Sequence, residues 1–295
     1  MALFSACATR LPRTVALALF TLSAAGCGTV VLTDGSTSSR NDRLATSTEI
    51  ASDARLYVDK AGLRRARTVR IVPTAFAADV TGAAGLTPEE RRLAANVADR
   101  AMCYELSLKY DVVSTPDADL TIRSRVTYVE PTDLLGAGST IGLSAAISIA
   151  GQVGVAAAES IGRVPVPRIP IGLGSLTVEA EAVDRNGRQQ AAMIWGGAAN
   201  SFTSQPRFSR ISDPYDHAAD FGQDFGFLVA TGQDPFKAPL FIPNWNRIRV
   251  TQLGEAPLDP DCAAFGRAPG VDGMITDYIG LPPEFSDKGP AVPAR

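Results

Sequence analysis

The alternation of apolar and polar positions marks out most of the secondary structure. In Thr68-Val-Arg-Ile-Val-Pro-Thr-Ala-Phe76, Val69, Ile71 and Pro73 alternate with Arg70 and Val72, which predicts a half-buried strand. Thr87-Pro-Glu-Glu90 then supplies a capping hydroxyl, a proline at the first helical position and a glutamate at the capping-box position. Leu93, Val97, Ala101, Tyr104 and Leu108 fall on one face of the helix that follows. Two strands come next, Asp111–Ser114 and Leu120–Val129, joined by the turn residues 115–119. Ser175–Val183 places Leu176, Val178, Ala180 and Ala182 on one side, and Asp184-Arg-Asn-Gly187 turns the chain into a return strand ending near Trp195. A second helix starts at Asp213-Pro214 with the stripe Ala218, Phe221, Phe225 and Leu228. The order β-α-β-β, insertion, β-β-α predicts an α+β fold. It is a mostly antiparallel sheet with two helices on one face, over residues 56–231. The Gly- and Pro-rich residues 232–295 read as an extended C-terminal tail laid over that domain.

The N-terminal stretch is of another kind. Arg10 and Arg13 precede the apolar run Thr14–Leu22, which has signal-peptide length and is short for a membrane span. Ser23-Ala-Ala-Gly26 then leads into Cys27, which resembles a bacterial lipobox, with Ala24 where leucine is commonest. The expectation is a signal peptide over 1–26 and acyl chains on Cys27. Gly28 after the cysteine implies sorting to the outer membrane, facing the periplasm. Residues 27–55, rich in Thr, Ser, Asp and Gly, read as a flexible tether spanning roughly 30 Å.

Residues 134–158 carry no charge. Within them Ile141, Leu143, Ile147, Ile149, Val153 and Val155 all occupy odd positions, with small or polar residues between. Period two favours a strand or hairpin, while the small residues equally permit close helix packing. Three uses stand open: packing on the chain's own domain, an oligomer contact, or insertion into a membrane.

Composition narrows the chemistry. The chain is 45% hydrophobic and 20% charged with a net charge of −3, so it is globular and offers no basic surface to nucleic acid. There is one histidine, His217, set among Asp213, Asp216, Asp220 and Asp224 and read as a solvated helix-flank residue. No G-x-S-x-G, S-x-x-K, H-E-x-x-H, P-loop or C-x-x-C motif occurs. Asp259-Pro-Asp261 opens like a calcium loop but continues with Ala263 and Ala264 where a ligand and a glycine belong. Glu179 and Glu181 share a strand face with Thr177 and read as solvated. No catalytic residue, metal or cofactor is expected beyond the acyl chains on Cys27. Cys7 lies in the signal segment. Cys103 and Cys262 remain for an oxidising compartment, where a disulfide would staple the tail to the first helix. Two free thiols, or a bridge to another chain, are the other uses of that pair.

With the Cys27 lipobox, the strand order and Leu176-Thr-Val-Glu-Ala-Glu-Ala-Val-Asp-Arg-Asn-Gly187, the chain resembles a proteobacterial lipoprotein family of unknown function, DUF3313-like, over roughly residues 20–230. The resemblance implies an envelope lipoprotein and no particular activity. The expected function is a non-enzymatic accessory or adaptor subunit. It would be held to the membrane by lipid and docked to another envelope protein. The alternative is a lipoprotein that assembles with itself into a ring or pore through 134–158.

Overall fold

The computed structural model describes residues 30–290 apart from 36, 50–51, 135–172, 201–203, 205–206 and 239–244. Cys27, Ile141, Leu143, Ile147, Ile149, Val153 and Val155 lie outside the described residues. In chain order the elements are β1 (Ala45–Thr48), β2 (Ser52–Val58), the short helix α1 (Lys60–Arg65), β3 (Thr68–Ile71) and β4 (Ala75–Thr81). They continue with α2 (Pro88–Ser107), β5 (Asp111–Val112), β6 (Leu120–Glu130), β7 (Ser175–Asp184), β8 (Gln189–Ala198), α3 (Ser212–Thr231) and α4 (Gly270–Tyr278).

The eight strands form one sheet in the order β1-β2-β8-β7-β6-β3-β5, with β4 also paired to β6. From β1 to β6 every pairing is antiparallel. β3 and β4 run parallel to β6, and β5 runs parallel to β3. The sheet is therefore mostly antiparallel, in an α+β fold as its pattern predicts. Its centre is the β7–β8 hairpin. Gly187 closes that turn at φ +72°, and the Asp184 carboxylate accepts from the Asn186 and Arg188 N–H groups.

Two expectations change. The strand expected over Thr68–Phe76 is two strands lying end to end along β6. Pro73 has no N–H to give the ladder, and the next one, of Thr74, donates to the Asp99 carboxylate at 2.9 Å. The expected tether is also part of the fold. β1 and β2 extend the sheet past β8, with Ala54 opposite Trp195, and the described residues of 30–41 lie across the outer sheet face. Its low hydrophobicity misled because most of it is held through backbone hydrogen bonds, and the apolar stripe Ala54, Leu56 and Val58 of β2 runs across the expected boundary.

α2 and α3 cover the other face. The capping box forms as expected: Glu90 N–H donates to Thr87 Oγ1 at 3.2 Å, and Thr87 N–H to Glu90 Oε2 at 2.6 Å. Trp195, Phe221, Phe225, Met102 and Leu106 are fully buried between helices and sheet, each large side chain contributing about 1.5–3 kcal/mol. The two helices touch through Gly222 and Gly226. A Cβ on Gly222 would lie 2.2 Å from the Ala98 carbonyl oxygen, and backbone cannot give way there. Gly222→Ala gains roughly 1 kcal/mol of helix propensity, but overpacking costs about 1–3 kcal/mol. The variant is expected to melt below the parent; a raised midpoint would mean that the helices separate without penalty.

Asp99 is buried in this layer, and Asp224 is half-buried at its edge. Burial pushes Asp99 up to about 7, against the Thr74 hydrogen bonds that lower it. Burial likewise raises Asp224 to about 7, although it accepts from Trp195 Nε1 at 2.8 Å. Between the ordinary value of 3.8 and about 7 the folded chain holds protons that the unfolded chain releases. Stability therefore falls as pH rises through that window, by about 1.4 kcal/mol per unit for each such group. Melting curves from pH 5 to 8 should show the midpoint dropping, and Asp99→Asn should flatten the drop. Parallel pH profiles for the two proteins would refute this assignment.

Candidate functional site

The tail, described from Trp245 to Pro290, covers the side of α2 and α3 that the sheet leaves open. α2 is consequently buried nearly all round, and its one-face pattern understated that. Cys103 and Cys262 are joined in a disulfide with Cα atoms 5.8 Å apart. Asn96 Nδ2 donates to the Phe265 carbonyl at 2.8 Å. Arg100 Nη2 reaches Asp287 at 2.5 Å, and the Tyr215 hydroxyl donates to the same carboxylate at 2.6 Å. Burial pushes Asp287 up, but Arg100, Tyr215 and the Gly289 N–H outweigh it and hold the carboxyl below the usual range. Arg207, 6% exposed in its side chain, pairs with Asp216 on α3 and with Asp277 on α4 at 3.3 Å. Arg247 pairs with Glu105. One covalent link and three ion-pair networks thus fix the tail.

Two features follow from that fixing. The first is a cleft of about 290 Å³ between α2, α3 and the tail, lined largely by apolar groups such as Val97, Ala101, Ala219, Val250 and Met274. Tyr104 also lines it, and its buried hydroxyl has no hydrogen-bond partner. The second is the outer face of α4. Val271, Met274, Ile275, Tyr278 and Ile279 recur at helical spacing and are exposed, Tyr278 by 85%. Phe285 extends the patch. Asp272 is the exposed charge within this stripe.

The opposite sheet face holds Glu179 and Glu181, which are buried and not solvated, at 0% and 2% exposure. The N-terminal strap 30–41 covers them. Glu179 accepts from the Gly35 N–H at 3.0 Å, the Thr37 N–H at 2.8 Å and Asn41 Nδ2 at 3.2 Å. Glu181 accepts from the Ser39 N–H at 2.8 Å and its hydroxyl at 2.7 Å, and from Gln189 Nε2 at 3.2 Å. Such donor sets make the two side chains structural pins for the strap. His217 is also buried, with its ring 6.1 Å from that of Trp195 and Nδ1 3.9 Å from the Asp220 carboxylate. It thus sits between Trp195 and Asp220 and is not solvated as expected.

Asp259, in the calcium-like run, instead caps a turn and accepts from the Val112 N–H at 2.8 Å. No cluster of three or more His, Cys, Asp or Glu residues suited to a metal occurs among the described residues. Nor is any described helix long and apolar enough to cross a membrane. Of the expected site residues, the structure brings together Cys103 and Cys262. The α4 stripe was missed because Gly270 and Gly273 disguise a readable i, i+3, i+4, i+7 pattern.

A family profile described as a protein of unknown function (DUF3313) matches residues 34–225. This chain is a DUF3313 protein. The DUF3313 match begins inside the strap and ends within α3, so the disulfide-linked tail, the cleft roof and α4 lie outside it. No curated protein matches the chain. Solved structures that resemble this DUF3313 protein include a PelC dodecamer from Paraburkholderia phytofirmans and a single-site variant of it. Each is 13% identical, with 64% of this chain and 99% of that one covered and a TM-score of 0.33. A likeness at that score bears on neither fold nor assembly.

Proposed function

We propose that this chain is an outer-membrane lipoprotein, anchored through Cys27 and facing the periplasm. In that reading it is a non-enzymatic accessory subunit that docks another envelope protein on the outer face of α4. The observation that carries the reading is the exposed stripe Val271, Met274, Ile275, Tyr278 and Ile279, held rigid by the Cys103–Cys262 link and the Arg207–Asp277 pair. Contiguous apolar patches of this kind mark interaction sites, and preorganisation lowers the cost of binding.

A protein suits the stripe better than the bilayer does. Cys27 precedes Val30 by three residues, a reach of at most about 11 Å. An acyl anchor there holds the strap side of the sheet toward the membrane, with α4 beyond the helices on the far side. Asp272 within the stripe also disfavours an anionic lipid surface and suits a partner with a basic rim.

The test is a photocrosslinker placed at Ile275 or Tyr278 in the full-length protein in cells, with Arg64 as an exposed control. One heterologous protein crosslinked from both stripe positions, co-extracted one to one and lost in Ile275→Asp, supports the reading. Crosslinks to lipid, or none, overturn it. Self-crosslinks in a closed oligomer abolished by deleting 134–158 support the alternative of a self-assembled ring.

A further inference from the structure

The cleft beneath the tail is distinct from the docking stripe and shares only Met274 with it. Its polar wall is mostly committed: Arg100 and Tyr215 to Asp287, Asp277 to Arg207, and Glu255 to Arg249. Besides the exposed Gln252 amide, two groups are left over. One is the Tyr104 hydroxyl, on a residue 4% exposed and without a partner. Burial pushes that phenol up, so it stays protonated and able to donate. A buried donor left unmade carries a desolvation cost, which an oxygen acceptor in the cleft would recover. The other is Arg267, exposed at the cleft's edge and in no ion pair among the described residues. Between them the surface is apolar, and the small residues Ala101, Ala219 and Gly273 keep the space open. The volume of about 290 Å³ sits at the small end of ligand pockets, roughly 300–1,000 Å³.

We infer that this cleft is a binding site for a single-chain fatty acid of medium length, its hydrocarbon lying between α2, α3 and α4, with Tyr104 and Arg267 serving its oxygens. A bulkier two-chain lipid exceeds the space. A polar metabolite would strand its hydrogen-bonding groups against Val97, Ala101 and Val250.

The experiment is photolabelling of the full chain in its own membranes with a diazirine analogue of dodecanoate, sites being mapped by mass spectrometry. Label is expected on the peptides containing Val97–Tyr104 and Gly266–Met274, displaced by unlabelled dodecanoate. Ala219→Phe fills the cleft and should abolish that label. Tyr104→Phe keeps the ring over which Arg247 sits at 5.2 Å and removes only the hydroxyl. It should weaken competition by about three- to tenfold. Arg267→Glu should weaken dodecanoate by at least about threefold and leave dodecanol unchanged. Label confined to other segments, or unaltered by Tyr104→Phe together with Ala219→Phe, overturns the assignment. Equal loss of dodecanoate and dodecanol in Arg267→Glu overturns the acid headgroup.

Discussion

Cys262→Ser is expected to cost the protein more stability than any other single change considered. The bridge closes a loop with a sequence separation of 159. On the chain-entropy model such a closure contributes about 5 kcal/mol, chiefly by restricting the unfolded chain. The tail also loses its one covalent hold. Arg100–Asp287, Arg207–Asp277 and Arg247–Glu105 remain, so the native arrangement should persist with faster hydrogen exchange over 245–290. Urea unfolding of the oxidised parent against Cys262→Ser measures the first effect, and exchange mass spectrometry the second. Coincident unfolding curves would show that the unfolded state is already held compact by other means.

Glu179→Ala should release the strap. The Gly35 and Thr37 N–H groups and Asn41 Nδ2 all lose their acceptor. Each donor left buried and unpaired costs about 1–3 kcal/mol. The strap escapes that cost by lifting into water at its middle, while Thr177 to the Val31 carbonyl, Thr33 to Thr127, Arg55 to Asp34, Gln189 to Ser38 and Ser39 to Glu181 remain as its other holds. Limited proteolysis between Val30 and Asn41 should become fast in Glu179→Ala, while Glu179→Gln, which keeps one acceptor oxygen, should fall between. A strap equally protected in all three proteins would remove Glu179 as its pin.

What could be read in the sequence was local. The Asp184–Gly187 turn, the Thr87–Glu90 box and the alternation of Leu176, Val178, Ala180 and Ala182 each act within a few residues, and each formed as expected. The Cys103–Cys262 pair was within reach because few cysteines compete for it. What stayed hidden depends on distant chain. Glu179 and Glu181 alternate outward as solvated residues do; only a segment 142 positions upstream makes them buried. His217 has acids beside it in sequence and Trp195 beside it in space. The Tyr104 hydroxyl became notable only once the tail closed over α2.

The reach of these long contacts sets an order of events in folding. The β7–β8 hairpin and the capped α2 need only nearby residues and form early. The strap, β1 and β2 come first in the chain, yet their partners are β7 and β8, at separations such as 142. Loop closure on that scale has to wait for the hairpin. The chain's earliest described residues therefore remain uncovered until its middle has folded, open to any enzyme that acts near the N-terminus. Joining of Cys103 to Cys262 has to wait for the strands to be made, because Cys262 lies beyond all of them in the chain. A chain cut short before Cys262 would complete its sheet and never gain its roof.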